Sequence, residues 1–123
     1  MNGGEPYEYA LIRVVPRVER GEAMNAGVIL YSQGHAYLGC RIQLDEARLR
    51  ALDPAVDLSA VTAALSAVDE DCRRGRDTEQ SPGVRFRWLT ATRSTIVQPG
   101  PVHSGLTADP AAELEHLFDN LVR

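Results

Sequence analysis

The sequence contains no lysine; all 13 basic side chains are arginine. That absence excludes chemistry that needs a lysine from this chain. A Schiff-base enzyme needs the amine as nucleophile, and a Walker loop needs the lysine that reaches the phosphates. A protein kinase needs the lysine that holds the α- and β-phosphates. Cysteine is scarce, with only Cys40 and Cys72, too few for a disulfide framework or a paired CxxC metal site. Both lie in apolar patterns and read as small buried thiols of a reducing compartment. No HExxH or GxSxG motif occurs, so neither a metal nor a cofactor is expected. No apolar run approaches the roughly 18 residues of a membrane helix. The opening Met1–Pro6 lacks the basic and apolar regions of a secretory signal. The expected location is therefore cytoplasmic, of bacterial type, with no membrane association. Basic charge is not in excess either: the net charge is −4, which argues against general nucleic-acid binding.

What is present fits one soluble domain of ordinary composition, 44% apolar and 24% charged over 123 residues. Residues 1–7 are expected as a disordered tail and residues 8–123 as a single domain. Residues 8–15 read as a strand whose two faces are both mostly apolar, which suits a central strand covered on both sides. Pro16 ends it. A second strand spans 24–32, Gln33-Gly34 makes a two-residue turn, and a third strand spans 35–42, giving an antiparallel hairpin. Gly27 and Gly39 mark bulges or close approaches.

Asp45 caps a short helix to about Leu52. Asp57 or Ser59 starts a longer helix to about Arg74, whose stripe is Leu58, Val61, Leu65, Val68 and Cys72. Residues 76–83 are a polar connection. Residues 84–90 alternate like a strand, yet Ser81-Pro82 resembles a helix start, and a short helix is the preferred reading. Thr95–Gln98 reads as a strand beside a Pro-rich bend. Asp109-Pro110 opens a last helix with Leu114, Leu117, Phe118 and Leu121 inside. The fold class is α+β: an antiparallel sheet, a three-stranded meander plus one later strand, packed against two to four helices.

A few residues sit where charge or polarity is costly. Arg13 interrupts an apolar strand. It either snorkels or pairs with an acid across the hairpin, or it is a fork for an anion. Arg41 has the same two readings, and Arg13, Asn25 and Arg41 would form a site if they share a sheet face. Arg73, Arg74, Arg85 and Arg87 read as helix ends or solvated faces. Segment 93–109 packs Arg93, Ser94, Thr95, Gln98 and His103 around a short strand and a bend, as ordered binding loops do. His103 is the candidate general base, with Glu22 as a second proton carrier. Glu19 and Glu22 beside Arg17 and Arg20 otherwise read as a solvated lip.

The run Tyr9-Ala10-Leu11-Ile12-Arg13-Val14-Val15-Pro16, then Arg20-Gly21-Glu22 and Asn25-Ala26-Gly27-Val28, resembles the start of a small bacterial family known as domain of unknown function 3037. Phe86-Arg87-Trp88-Leu89, Arg93-Ser94-Thr95 with Gln98, Val102-His103 with Gly105, and Asp109-Pro110 resemble its second half. The matching motif positions include Arg13, Glu22, Asn25, Arg41, Arg93, Ser94, Thr95, Gln98 and His103. The resemblance assigns no activity. It implies a neighbouring HipA-like kinase as a possible protein partner.

Three functions follow as expectations. The first is a non-enzymatic binding or accessory module that holds a small anionic group or a protein partner. The second is a small enzyme acting on an anionic or peptide substrate, with His103 and Glu22 carrying protons and Arg13 and Arg93 holding the substrate. The third is an interface protein completing a complex through an exposed apolar patch near Phe86, Trp88 and Leu89.

Overall fold

Glu5–Val14 forms β1, in which even-numbered residues face one core and odd-numbered residues the other. A computed structural model describes residues 4–74, 81–91 and 95–123 of the chain. After β1 come a 3-10 turn (Val18–Arg20), β2 (Met24–Ser32), β3 (Tyr37–Ile42), α1 (Glu46–Leu52), α2 (Leu58–Arg74), α3 (Pro82–Leu89), β4 (Val97–Pro99), β5 (His103–Thr107) and α4 (Pro110–Leu121). The strands form one antiparallel sheet in the order β3-β2-β1-β4, with β5 also on β1. Both β4 and β5 run along the same edge of β1, β4 opposite Ile12–Val14 and β5 opposite Glu5–Tyr9. The Gly100 amide donates to the Leu11 carbonyl between them. The α+β class and the meander of the first three strands are as expected, but the single later strand is an interrupted pair.

One face of the sheet carries Ala10, Ile12, Val14, Ile29 and Leu38, closed over by Leu49 of α1, Val61 and Leu65 of α2, and Phe86 of α3. The other carries Tyr7, Val28 and Leu30, closed over by Leu114, Phe118 and Val122 of and just after α4. Burying Phe86 and Phe118 completely is worth roughly 1.5–3 kcal/mol each. The helix starts follow the residues: Asp45, Asp57, Ser81 and Asp109 each accept an amide three residues on. Two arginines expected in solvent have partners. Arg87 grips Glu8 through two bonds of 2.7 Å, and these bonds hold the Glu8 carboxyl below its ordinary range. Arg85 is tucked against α2, donating to the Asp71 carbonyl at 2.8 Å.

β2 contains a bulge that decides which side chains share a face. Ile12 stands opposite Gly27, but Arg13 stands opposite Asn25, so Ala26 is an extra residue. The bulge reverses the alternation within β2. Val28 and Leu30 face α4, Met24 and Ala26 face the other core, and Asn25 comes round to the α4 side. A Cβ at Gly27 would meet the Arg41 carbonyl oxygen at 2.9 Å, so the close approach expected at this glycine is real.

Three boundaries differ from the sequence reading. Glu5, Pro6 and Tyr7, expected within a tail, pair with Thr107, Leu106 and Gly105, and Tyr7 is buried. The β2–β3 connection has four residues rather than two, because Ser32 pairs with Tyr37 and the Ala36 amide closes on the Gln33 carbonyl. His35 thereby leaves the strand and donates to the Thr107 carbonyl at 2.9 Å. His103–Thr107, read as loop, is an edge strand. Its alternation is hidden because Gly105 supplies no side chain where Tyr7 packs.

Ala36 holds φ at 51°, in the left-handed region that costs an L-residue roughly 1–2 kcal/mol. Ala36→Gly is therefore expected to raise stability by about 1 kcal/mol, measured as a higher urea midpoint at unchanged slope.

Candidate functional site

A helix is about 10 Å across and strands lie ~4.8 Å apart, so one helix covers two strands. α4 lies across β2 and β3. It runs alongside β1, with Glu113 near Tyr7 and Leu121 near Asn25. Among the described residues no helix lies across β4 and β5 on this side. A strip one helix wide and roughly 13 Å long, from Tyr9 to Arg13, is left between α4 and the β4–β5 edge. Tyr9 and Leu11 floor it, half-buried, and the more exposed Leu121 borders it.

At one end of the strip three polar residues stand in a row. Arg13 is the cross-strand partner of Asn25 on one side and Gln98 on the other, so all three project from the same face. Asn25 identifies that face, since its Nδ2 donates to the Leu121 carbonyl of α4 at 3.0 Å. Gln98 Nε2 donates to the Thr95 carbonyl at 2.7 Å, and Thr95 Oγ1 donates to the Val97 carbonyl at 2.7 Å. These local bonds position the two side chains. The Arg13 guanidinium lies against Gly100, where a Cβ would sit 3.2 Å from its Cζ. Among the described residues no carboxylate pairs with Arg13.

The other end of the strip is aromatic. His103 pairs across from Tyr9, with ring centroids 5.3 Å apart. Beyond them Tyr7 is buried and donates to Glu113 Oε1 at 2.9 Å. Burial first, and then this bond, push its phenol from 10.0 up to about 12.

The residues singled out in the sequence therefore divide. Arg13, Asn25 and Gln98 come together, with Thr95 supporting Gln98. Arg41 shares their face but lies two strands away, with the last turn of α4 between. Its guanidinium sits 4.6 Å from the centre of the Phe118 ring and pairs with Glu115 at 3.2 Å. That arginine is a strut for α4. Arg93 and Ser94 lie outside the described residues. His103 and Glu22 do not meet. His103 is opposite Tyr9, whereas Glu22 precedes the Met24–Val14 pair and is bound to Arg20. Five strand residues, about 17 Å, separate those levels of the sheet. Phe86 and Leu89 are core, leaving Val84 and Trp88 as the exposed apolar residues of α3.

Elsewhere a cleft of about 520 Å³ opens between the start of α3 and the β1–β2 pair, lined by Tyr31, Gln33, Ser81 and the Glu8–Arg87 pair. None of the candidate binding or proton-carrying residues named from the sequence lines it. The described helices include none long and apolar enough to cross a membrane.

The fold and this strip define a small α+β domain with one half-covered sheet face. The chain belongs to the family described as protein of unknown function DUF3037, whose model matches residues 9–122. Comparison with the curated proteins and with the solved structures returns no match.

The Tyr7–Glu113 bond carries a pH signature. The folded state holds the phenol proton more tightly than the unfolded chain, so stability is complete below pH ~10 and falls as pH rises towards 12. Tyr7→Phe is expected to flatten that alkaline loss, read from urea midpoints taken between pH ~8 and ~11.

Proposed function

We propose that this protein is a non-enzymatic accessory module whose half-covered sheet face receives an acidic segment of a protein partner. The observation that carries this reading is Arg13. A guanidinium in a central strand, flanked by two amides and facing no described carboxylate, is a fork positioned for one from outside. The shape of the strip supports the same reading. It matches two to three turns of an amphipathic helix in length and one helix in width. Leu11, Tyr9 and Leu121 would take the apolar side of such a helix, and Arg13 an Asp or Glu on it. Recognition of this kind buries little area, and a central arginine is the residue type on which such interfaces depend.

The family resemblance supports a HipA-like kinase as the partner. The acid/base reading gains no support, because His103 and Glu22 sit at separate levels of the sheet. Co-expression with a HipA-like kinase is expected to yield a stable complex that co-elutes in size exclusion. Arg13→Gln should weaken it at least ~10-fold, as loss of a buried charge-assisted pair does. Arg48→Gln, an exposed α1 change, should leave it unaltered. Equal affinity of the wild-type chain and Arg13→Gln would remove Arg13 from the interface.

A further inference from the structure

The two cysteines, far apart in the chain, meet on the sheet face opposite the strip. Cys40 of β3 points towards α2, and Cys72 stands in the last turns of α2. The Cys40 thiol donates to Asp69 Oδ1 at 3.4 Å, and Asp69 stands one turn before Cys72 on α2. Asp69 is held in turn by Arg73 at 3.2 Å. Both cysteines, with Asp69 and Arg73, line a cleft of about 390 Å³ beside the edge strand. Cys72 is 3% exposed, while Cys40 is only half-buried, so a reagent entering the cleft meets Cys40 first.

Two cysteines that line one cleft from neighbouring segments, Cys40 bonded to a residue one turn from Cys72, are placed for a disulfide, which needs such facing side chains. We propose that Cys40 and Cys72 are a reversible dithiol/disulfide pair, oxidised by a low-molecular-weight disulfide of the glutathione type. In the first step the Cys40 thiol gives its proton to solvent and its sulfur attacks one sulfur of the small disulfide. The small S–S bond breaks, and one small thiolate leaves and takes up a proton. In the second step Cys72 loses its proton and its sulfur attacks the Cys40 sulfur of the mixed disulfide. The Cys40–Cys72 bond forms and the second small thiol departs. The protein dithiol loses two electrons and two protons, and the small disulfide is reduced to two thiols.

The surroundings set the conditions under which this happens. The Cys72 contact, burial and the Asp69 carboxylate all hold the Cys40 thiol protonated, well above the ordinary thiol range. The first attack is therefore slow, while the second sulfur is in place as soon as the first has reacted. The product ties edge strand β3 to α2 and leaves the α4 face untouched. The inference stands independently of the partner proposed above.

The test is equilibration of the intact folded chain in buffers of stepped oxidised-to-reduced glutathione ratio, acid quenching and mass spectrometry of the whole chain and its peptides. The expected species has lost two hydrogens, contains a peptide joining Cys40 to Cys72, and returns to the dithiol when the ratio is reversed. Cys72→Ser should instead stop at one glutathione adduct on Cys40. The wild-type spectrum decides the question even if that variant does not fold. Two free thiols, glutathione adducts without an internal bond, or chains cross-linked to one another in the oxidising buffers would each overturn the proposal.

Discussion

Every layer of the molecule is registered on β1. This one strand pairs with β2 from Glu8 to Val14 on one edge and with β4 and β5 in succession on the other. Its even side chains anchor the core under α1, α2 and α3, and its odd ones the core under α4. A shift of one residue would exchange the two cores, so the alternation of β1 constrains the whole sheet. Arg13 is the one charged residue of β1 beyond Glu5 and Glu8, and it occurs where the covering helix gives out. The candidate site is thus the place where the sheet is wider than the helix laid upon it.

Much of this was legible from residue patterns. The two apolar faces of residues 8–15 marked a central strand, and the caps Asp45, Ser81 and Asp109 marked helix starts that the structure keeps. The 84–90 segment, readable either way, is helical because Phe86 and Leu89 are needed inside while Val84 and Trp88 are not. β5 was hidden because an edge strand needs apolar residues on few positions, and Gly105 removes one of those. The four-residue turn was hidden because nothing local announces that Ala36 takes a left-handed conformation or that His35 is drawn off to Thr107.

The site was half legible for a more specific reason. Arg13, Asn25 and Gln98 were all singled out, but simple alternation from Val28 and Leu30 places Asn25 on the wrong face. Only the bulge at Ala26 brings it beside Arg13, and a bulge is a property of pairing between two strands rather than of either alone. Arg41 illustrates the opposite case. Its position looked equivalent to that of Arg13, yet Glu115 and Phe118 of α4 lie over it and consume it as a structural contact. Whether a strand arginine is free depends on what the last helix covers, which no local pattern records.

The central claim is that no carboxylate among the described residues pairs with Arg13. It is tested most directly by hydrogen exchange of arginine Nε–H groups, observed by NMR on the isolated chain. The account predicts that the Arg13 Nε–H exchanges at close to the rate of a solvated guanidinium, while that of Arg41 is protected by Glu115. Protection of Arg13 equal to that of Arg41 would contradict it, because the arginine would then already have its partner within the fold.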